Sequence, residues 1–389
     1  MRVAMIGQKG IPAIYGGIER HVEELSSRLV KSGQNVTVYS RKWYQKEIQT
    51  EYKGINIAFS KGIHSKHLDA ITHTFTATLD AIRGKFDVIH YHGVGPSLLS
   101  FIPRIFAPKT KIISTFHCID RYHQKWGFIA KSALRLGEWA ACKFAHETIV
   151  VSKNLREYCA NEFEKDCEYI PNGITPKTEK IDSKLLDKFG LQSGEYFVMI
   201  SRLVKHKGAH ILIEAFNKLK EDLAGNPEID KLKLAIVGGS AFTDKYIKNL
   251  AKLASKNNTI VFTDFQSGDE LETLYTHAKA LVHPSLNEGL PITVLEAMSY
   301  ETPVLVSNIP EHQEVVLHID ALFEKNDVAS LAEAMKNFVS KSEEQRNELA
   351  SKHKCLVNNE YNWDKIAQNT IELYKKEKVQ IKRKLAMQA

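Results

Sequence analysis

The chain has 389 residues, 43% of them hydrophobic and 25% charged, with a formal net charge of +7. That length exceeds what one small core organises and suits two domains, and the ordinary composition excludes a long disordered tract. No apolar run reaches the roughly 20 residues a spanning helix needs, and basic residues are not interleaved with aromatics as nucleic-acid surfaces require.

Residues 2–7 read as a strand rather than a secretory signal, so residence in the cytoplasm is expected. Five cysteines occur without a Cys-x-x-Cys spacing. They are expected as buried free thiols rather than a zinc site or disulfide framework. Cations gather in Lys375-Lys376-Glu377-Lys378 and Lys382-Arg383-Lys384, a tail suited either to solvent or to an anionic membrane surface.

In chain order, β-branched runs at 3–6, 35–39, 87–91, 111–116 and 148–151 alternate with helical patterns. The pattern at 18–31 places Val22, Leu25, Leu29 and Val30 on one face. A turn is expected at Pro171-Asn172-Gly173. A second series follows at 196–201, 233–237, 259–262, 280–283 and 303–306, and 361–376 reads as a terminal helix. The economical reading is two α/β domains: 1–175, then 176–360, with 361–389 as a helix and basic tail returning toward the first. Ligands of open parallel sheets sit beyond the carboxyl ends of strands, and the distinctive motifs fall there.

Gly7-Gln8-Lys9-Gly10-Ile11-Pro12 and Tyr15-Gly16-Gly17 run from the first strand into a helix. Close backbone approach and a helix N-terminus suit a phosphate or carboxylate, although a plain strand-to-helix turn uses the same glycines. The spacing is not Gly-x-Gly-x-x-Gly, which argues against a dinucleotide oxidoreductase. Ser201-Arg202-Leu203-Val204-Lys205-His206-Lys207-Gly208 places cations after a strand, as a diphosphate site requires. In Glu288-Gly289-Leu290-Pro291 … Glu296-Ala297-Met298, Pro291 is expected in the first turn of a helix. Glu288 then lies on the loop and Glu296 on the helix, as acceptors for sugar hydroxyls rather than as ion partners. The Gly289 and Leu290 amides point to an anion.

The glutamate pair, Arg202 with Lys207-Gly208, Gly16-Gly17, and Val151-Ser152 followed by Pro171-Asn172-Gly173 together resemble the family 4 retaining glycosyltransferases. The opening Gly-x-x-Gly-Ile-Pro … Tyr-Gly-Gly resembles a bacterial subgroup that includes rhamnosyltransferases for surface polysaccharides. The resemblance implies the GT-B fold, two Rossmann-like domains facing each other across a cleft. It implies transfer of a sugar from a nucleoside-diphosphate-sugar to a hydroxyl acceptor, with retention.

By the same resemblance Arg202 and Lys207 hold the donor diphosphate, Glu296 the ribose and Glu288 the transferred sugar, with the amides of Gly289 and Leu290. Gly16 and Gly17 approach the donor phosphates, and His117 contacts the donor sugar. Cys118 stands where glycine is common and Thr175 where aspartate is usual. No Asp-x-Asp occurs, so neither a metal nor a cofactor is expected. The acceptor is expected to be lipid-linked or a saccharide, with peripheral contact to the inner face of the cytoplasmic membrane through the aromatic and cationic segment 122–131, which continues to Arg135 and Trp139. A nucleotide-sugar epimerase, a sugar phosphorylase or a non-catalytic carbohydrate-binding protein remain alternatives on these residues alone.

Overall fold

Uninterrupted apolar runs such as Val3-Ala4-Met5-Ile6 suit strands covered by helices on both faces. The computed structural model contains two sheets of such strands, and it describes residues 1–377 except 46, 66–67, 123–126, 176–180, 241–242 and 317. Lys378, Lys382, Arg383 and Lys384 lie outside the described residues, as do His123, Gln124, Lys125 and Trp126. The chain divides into two compact units, Met1–Gly173 with the terminal segment from Trp363, and Ile174–Asn362.

The first unit carries β1 (Arg2–Ile6), β2 (Asn35–Ser40), β3 (Glu51–Tyr52), β4 (Ile55–Phe59), β5 (Val88–His92), β6 (Lys111–Phe116), β7 (Glu147–Val150) and β8 (Glu168–Tyr169). Their order is β3-β4-β2-β1-β5-β6-β7-β8, and only the β3–β4 pair is antiparallel. β1 lies between β2 and β5, with Val3 in register with Val36 and Val88. The Gly17–Lys31 helix buries Val22, Leu25 and Leu29 against this sheet, while Val30 is only partly covered.

The terminal helix Trp363–Lys375 completes the same core with Trp363, Ile366 and Ile371. Arg28 holds its first turn through Asp364 at 3.0 Å. At its other end the buried Lys111 ammonium donates to the carbonyls of Leu373, at 2.6 Å, and Lys376. A cation there satisfies terminal carbonyls and complements the helix dipole.

The second unit carries β9 (Tyr196–Ile200), β10 (Lys233–Val237), β11 (Ile260–Asp264), β12 (Ala280–His283), β13 (Val304–Ser307) and β14 (Leu322–Phe323). The order is β11-β10-β9-β12-β13-β14, with every pair parallel. Phe197, Met199, Phe216, Leu234 and Phe338 pack in its core. In each sheet the chain winds outward in one direction and then restarts on the other side. The reversals fall between β1 and β5 and between β9 and β12, and a crevice at such a reversal is where open α/β sheets take ligands.

The ten strands read from the sequence all form, with ends shifted by a residue or two. The outer strands β3, β4, β8 and β14 escaped that reading, three of them being two residues long. All five cysteines are free thiols. Cys142, Cys159 and Cys167 are buried, but Cys118 is half-buried and Cys355 exposed, so the expectation of burial fails for two of them.

Candidate functional site

In the second unit the loops after β9 and β12 are stapled together at the sheet reversal. Leu286 N donates to the His206 carbonyl at 2.7 Å, and Ser285 Oγ donates to the same oxygen at 3.3 Å. Gly208, at φ +77°, lets the loop pass so close to Pro284 that a Cβ would sit 2.1 Å from its carbonyl oxygen. Only glycine supplies both the left-handed backbone and that clearance.

This closure brings Lys207 to Glu288. Lys207 Nζ bonds Glu288 Oε1 at 2.5 Å, and His283 Nε2 donates to the same oxygen at 2.8 Å. A carboxylate only accepts, so His283 carries its proton on Nε2. Burial alone would raise the Glu288 carboxyl, but the Lys207 charge and the His283 hydrogen bond outweigh it and hold it well below the usual range. Glu288 is thus an anion locked to a cation. The sequence reading excluded the glutamates as ion partners, and for Glu288 that is corrected by this contact.

His312 packs edge-on to His283 at 5.4 Å between ring centroids. Its Nδ1 is 2.8 Å from the Ser307 carbonyl, and burial pushes its pKa down to about 3. Arg202 is exposed on the loop after β9, and its guanidinium pairs with no carboxylate among the described residues. Gly289 and Leu290 are buried, and neither amide donates a hydrogen bond among the described residues. Two buried unpaired N–H groups are costly unless an acceptor meets them.

Pro291 takes the capping position rather than the first helical turn, and the helix runs Ile292–Ser299. Its carbonyl accepts from the Val294 and Leu295 amides at 2.9 and 3.1 Å, so its ring opens the helix without losing a bond. Glu296 lies on that helix, where Tyr275 Oη donates to Oε2 at 2.9 Å. The Tyr275 ring stacks on Tyr300 at 5.4 Å, which fixes the phenol that orients the carboxylate.

In the first unit, Gly16 and Gly17 are exposed at the N-terminus of the Gly17–Lys31 helix, which has no side-chain cap. At Gly16, φ +108°, an added Cβ would lie 1.9 Å from Glu19 Oε2. Glu19 Oε1 in turn accepts from the Lys9 amide at 3.0 Å, tying the glycine loop to the helix. Orphan amides at such an end favour an anion.

His117 follows β6 and is buried. Its Nε2 lies 3.3 Å from His92 Nδ1, and its ring meets His21 edge-on at 4.9 Å. His21 Nδ1 is 2.7 Å from Asn172 Oδ1, while His90 joins Tyr374 Oη at 2.6 Å and Thr115 Oγ1 at 2.7 Å. Burial lowers all four imidazoles, His21 to about 4, so the cluster is neutral. His21, His90 and His92 were missed from the sequence. His90 and His92, two apart on β5, were the available signal because alternate strand residues share a face. Cys118 Sγ donates to Asp120 Oδ1 at 3.3 Å, and Thr175 is exposed beside the bridge from Ile174 to Asn362.

Three groups among the described residues place potential metal donors within 4.8 Å of one another: His21–His92–His117, Cys142–Cys159–Cys167 and His283–Glu288–His312. Sequence spacing announced none of them. In the third, Lys207 already occupies the Glu288 oxygen that meets His283, which supplies a positive charge without a metal.

Residues 15–178 match the model of Glycosyltransferase Family 4 and residues 184–354 that of Glycosyl transferases group 1. An uncharacterized glycosyltransferase of Methanocaldococcus jannaschii is 27% identical, over 96% of this chain and 98% of its own. Sucrose-phosphate synthase from Thermosynechococcus elongatus superposes with a TM-score of 0.81 at 19% identity, covering 96% of this chain and 98% of that one. Anabaena HepE in complex with UDP and glucose gives 0.78 at 19% identity, over 96% and 99% of the two chains.

Proposed function

We propose, from the standing of this chain as a GT-B-fold relative of the glycosyltransferases, that it moves a sugar from a nucleoside-diphosphate-sugar to an acceptor hydroxyl. The observation that carries the reading is the second unit's sheet reversal. There a nearly buried carboxylate is held by a lysine, on loops that also carry an arginine with no carboxylate partner and two amides with no hydrogen bond among the described residues. Phosphate oxygens satisfy the amides and cations, and sugar hydroxyls satisfy the carboxylates. Arg202 and Lys207 take the diphosphate, Glu296 the ribose, and Glu288 with the Gly289 and Leu290 amides the sugar. In the first unit Gly16 and Gly17 take phosphate oxygens and His117 a sugar hydroxyl. The UDP named with HepE fits this donor class.

Transfer proceeds with retention. The acceptor oxygen forms its bond to the anomeric carbon on the face from which the diphosphate oxygen departs, and that oxygen takes the acceptor's proton. The chain contributes positioning and fixed positive charge where negative charge develops. Lys207 and Arg202 do the electrostatic work of a metal, and no metal is essential. Product analysis with donor and acceptor tests this directly. Transfer continues unchanged in excess EDTA, and EDTA-sensitive activity restored by Mg²⁺ or Mn²⁺ counts against the reading.

The rhamnosyltransferase-like opening from Gly7 to Gly17 supports a place in bacterial surface-polysaccharide assembly, on a lipid-linked or saccharide acceptor in the cytoplasm. Such an acceptor brings the enzyme to the inner face of the membrane.

A further inference from the structure

A surface helix ordinarily turns its apolar stripe inward and its polar stripe to water. The Phe128–Lys143 helix of the first unit departs from this. Gly137, Glu138, Ala140 and Ala141 are buried, while Ile129, Ala133, Leu136 and Trp139 recur at helical spacing on the exposed side. Phe128 and Ile129 are 86% and 85% exposed. Phe144 lies 5.1 Å from Trp139 and 5.9 Å from Phe101, ring centroid to ring centroid. The stripe therefore continues onto the Phe101–Phe106 helix, where Ile105 and Phe106 are 64% and 71% exposed. A contiguous apolar face of this kind marks an interaction surface.

Its charge selects the partner. Residues 101–143, counting Lys111, which is buried on β6, and Lys125, which lies outside the described residues, hold eight lysines and arginines against two acidic residues. One of the two, Glu138, is buried and paired with Arg121 at 3.1 Å and Arg135 at 3.3 Å. Lys109, Lys131 and Lys143 are exposed. A second copy of the chain is a poor occupant, because a two-fold contact would set this positive face against itself. Aromatic and aliphatic side chains with lysines around them suit the boundary of an anionic bilayer, apolar groups entering and ammonium groups meeting phosphates.

We propose that the face formed by the Phe101–Phe106 and Phe128–Lys143 helices docks this protein on an anionic lipid surface. The docking rests on the transferase reading only for its purpose, delivery of a lipid-linked acceptor. The sequence offers 122–131, continuing to Arg135 and Trp139, as a stretch for membrane contact. To that stretch the structure adds Leu136, Phe144 and the exposed side chains of the Phe101–Phe106 helix, which composition does not mark.

The full chain is co-sedimented with vesicles of phosphatidylglycerol and phosphatidylcholine, and with phosphatidylcholine alone. The anionic vesicles capture it and release it in high salt. Ile129→Asp combined with Leu136→Asp weakens capture at least about tenfold without changing the melting temperature, while Ile319→Asp, exposed in the second unit, changes nothing. Equal capture of the double variant overturns the proposal, as does a parent that ignores anionic vesicles. A parental dimer that the double variant dissolves would assign the face to a second copy instead. Thermal protection by nucleoside diphosphates is measured in parallel. It is the same in parent and double variant, so failure of the docking face is separable from failure of the donor site.

Discussion

Replacing Lys207 with alanine lowers sugar transfer by about 10²–10³-fold, the scale of losing one preorganised donor to transition-state charge. Its ammonium has two duties here. It faces the carboxylate of Glu288 at 2.5 Å, and with Arg202 it is one of the two cations proposed to meet the diphosphate. Removing it also leaves Glu288 with His283 as its only polar partner among the described residues, in a place where only 10% of the side chain is exposed. The carboxyl pKa, held down in the parent, rises in the variant.

The sign of the stability change follows from linkage. A depressed carboxyl contributes stability above its unfolded pKa, near 4.5, and loses it as pH falls. Lys207→Ala is therefore less stable than the parent at pH 7, and the two converge in acid. Melting curves followed from pH 7 downward, well below pH 4 and through the titration of the parental carboxyl, alongside initial transfer rates, check both halves. A variant with parental transfer rates removes Lys207 from the site.

Glu288→Gln slows transfer by roughly 10–100-fold while leaving the affinity for the bare nucleoside diphosphate unchanged or higher. The amide keeps the size but loses the charge, and a charge-assisted hydrogen bond is worth about 1.5–3 kcal/mol. The diphosphate itself does not need Glu288. The substitution leaves Lys207 unneutralised, a stronger attraction for phosphate. Calorimetric titration with the nucleotide, set beside transfer kinetics, separates the two effects. A matched fall in nucleotide affinity would place Glu288 on the nucleotide rather than on the sugar.

The central strands and the motif loops were legible in the sequence because parallel strands are apolar throughout and end in loops rich in glycine and charge. β4 was not, because Asn56 breaks its apolar run and one of its neighbours is the two-residue strand β3. Arg202, Lys207, Glu288 and Glu296 were found as residue types in context. Their mutual geometry was not legible, since Lys207 and Glu288 are 81 positions apart and meet only because the sheet returns its chain at β12.

The histidine cluster shows the same limit. His21 comes from a helix, His92 from the end of β5 and His117 from the loop after β6, and no local period links them. Pro291 illustrates a smaller one, for a proline preceding a helical pattern is equally compatible with the cap and with the first turn.

Donor binding is tested most directly by thermal protection of the purified chain by UDP, GDP, dTDP, ADP and NAD, in the parent and in Glu296→Ala. A ligand at 100 times its dissociation constant adds about 2.7 kcal/mol of stability. One nucleoside diphosphate raises the parental melting temperature, and Glu296→Ala blunts that rise at the same concentration. Protection by NAD alone, with none from any nucleoside diphosphate, rules out a nucleoside-diphosphate-sugar as the donor.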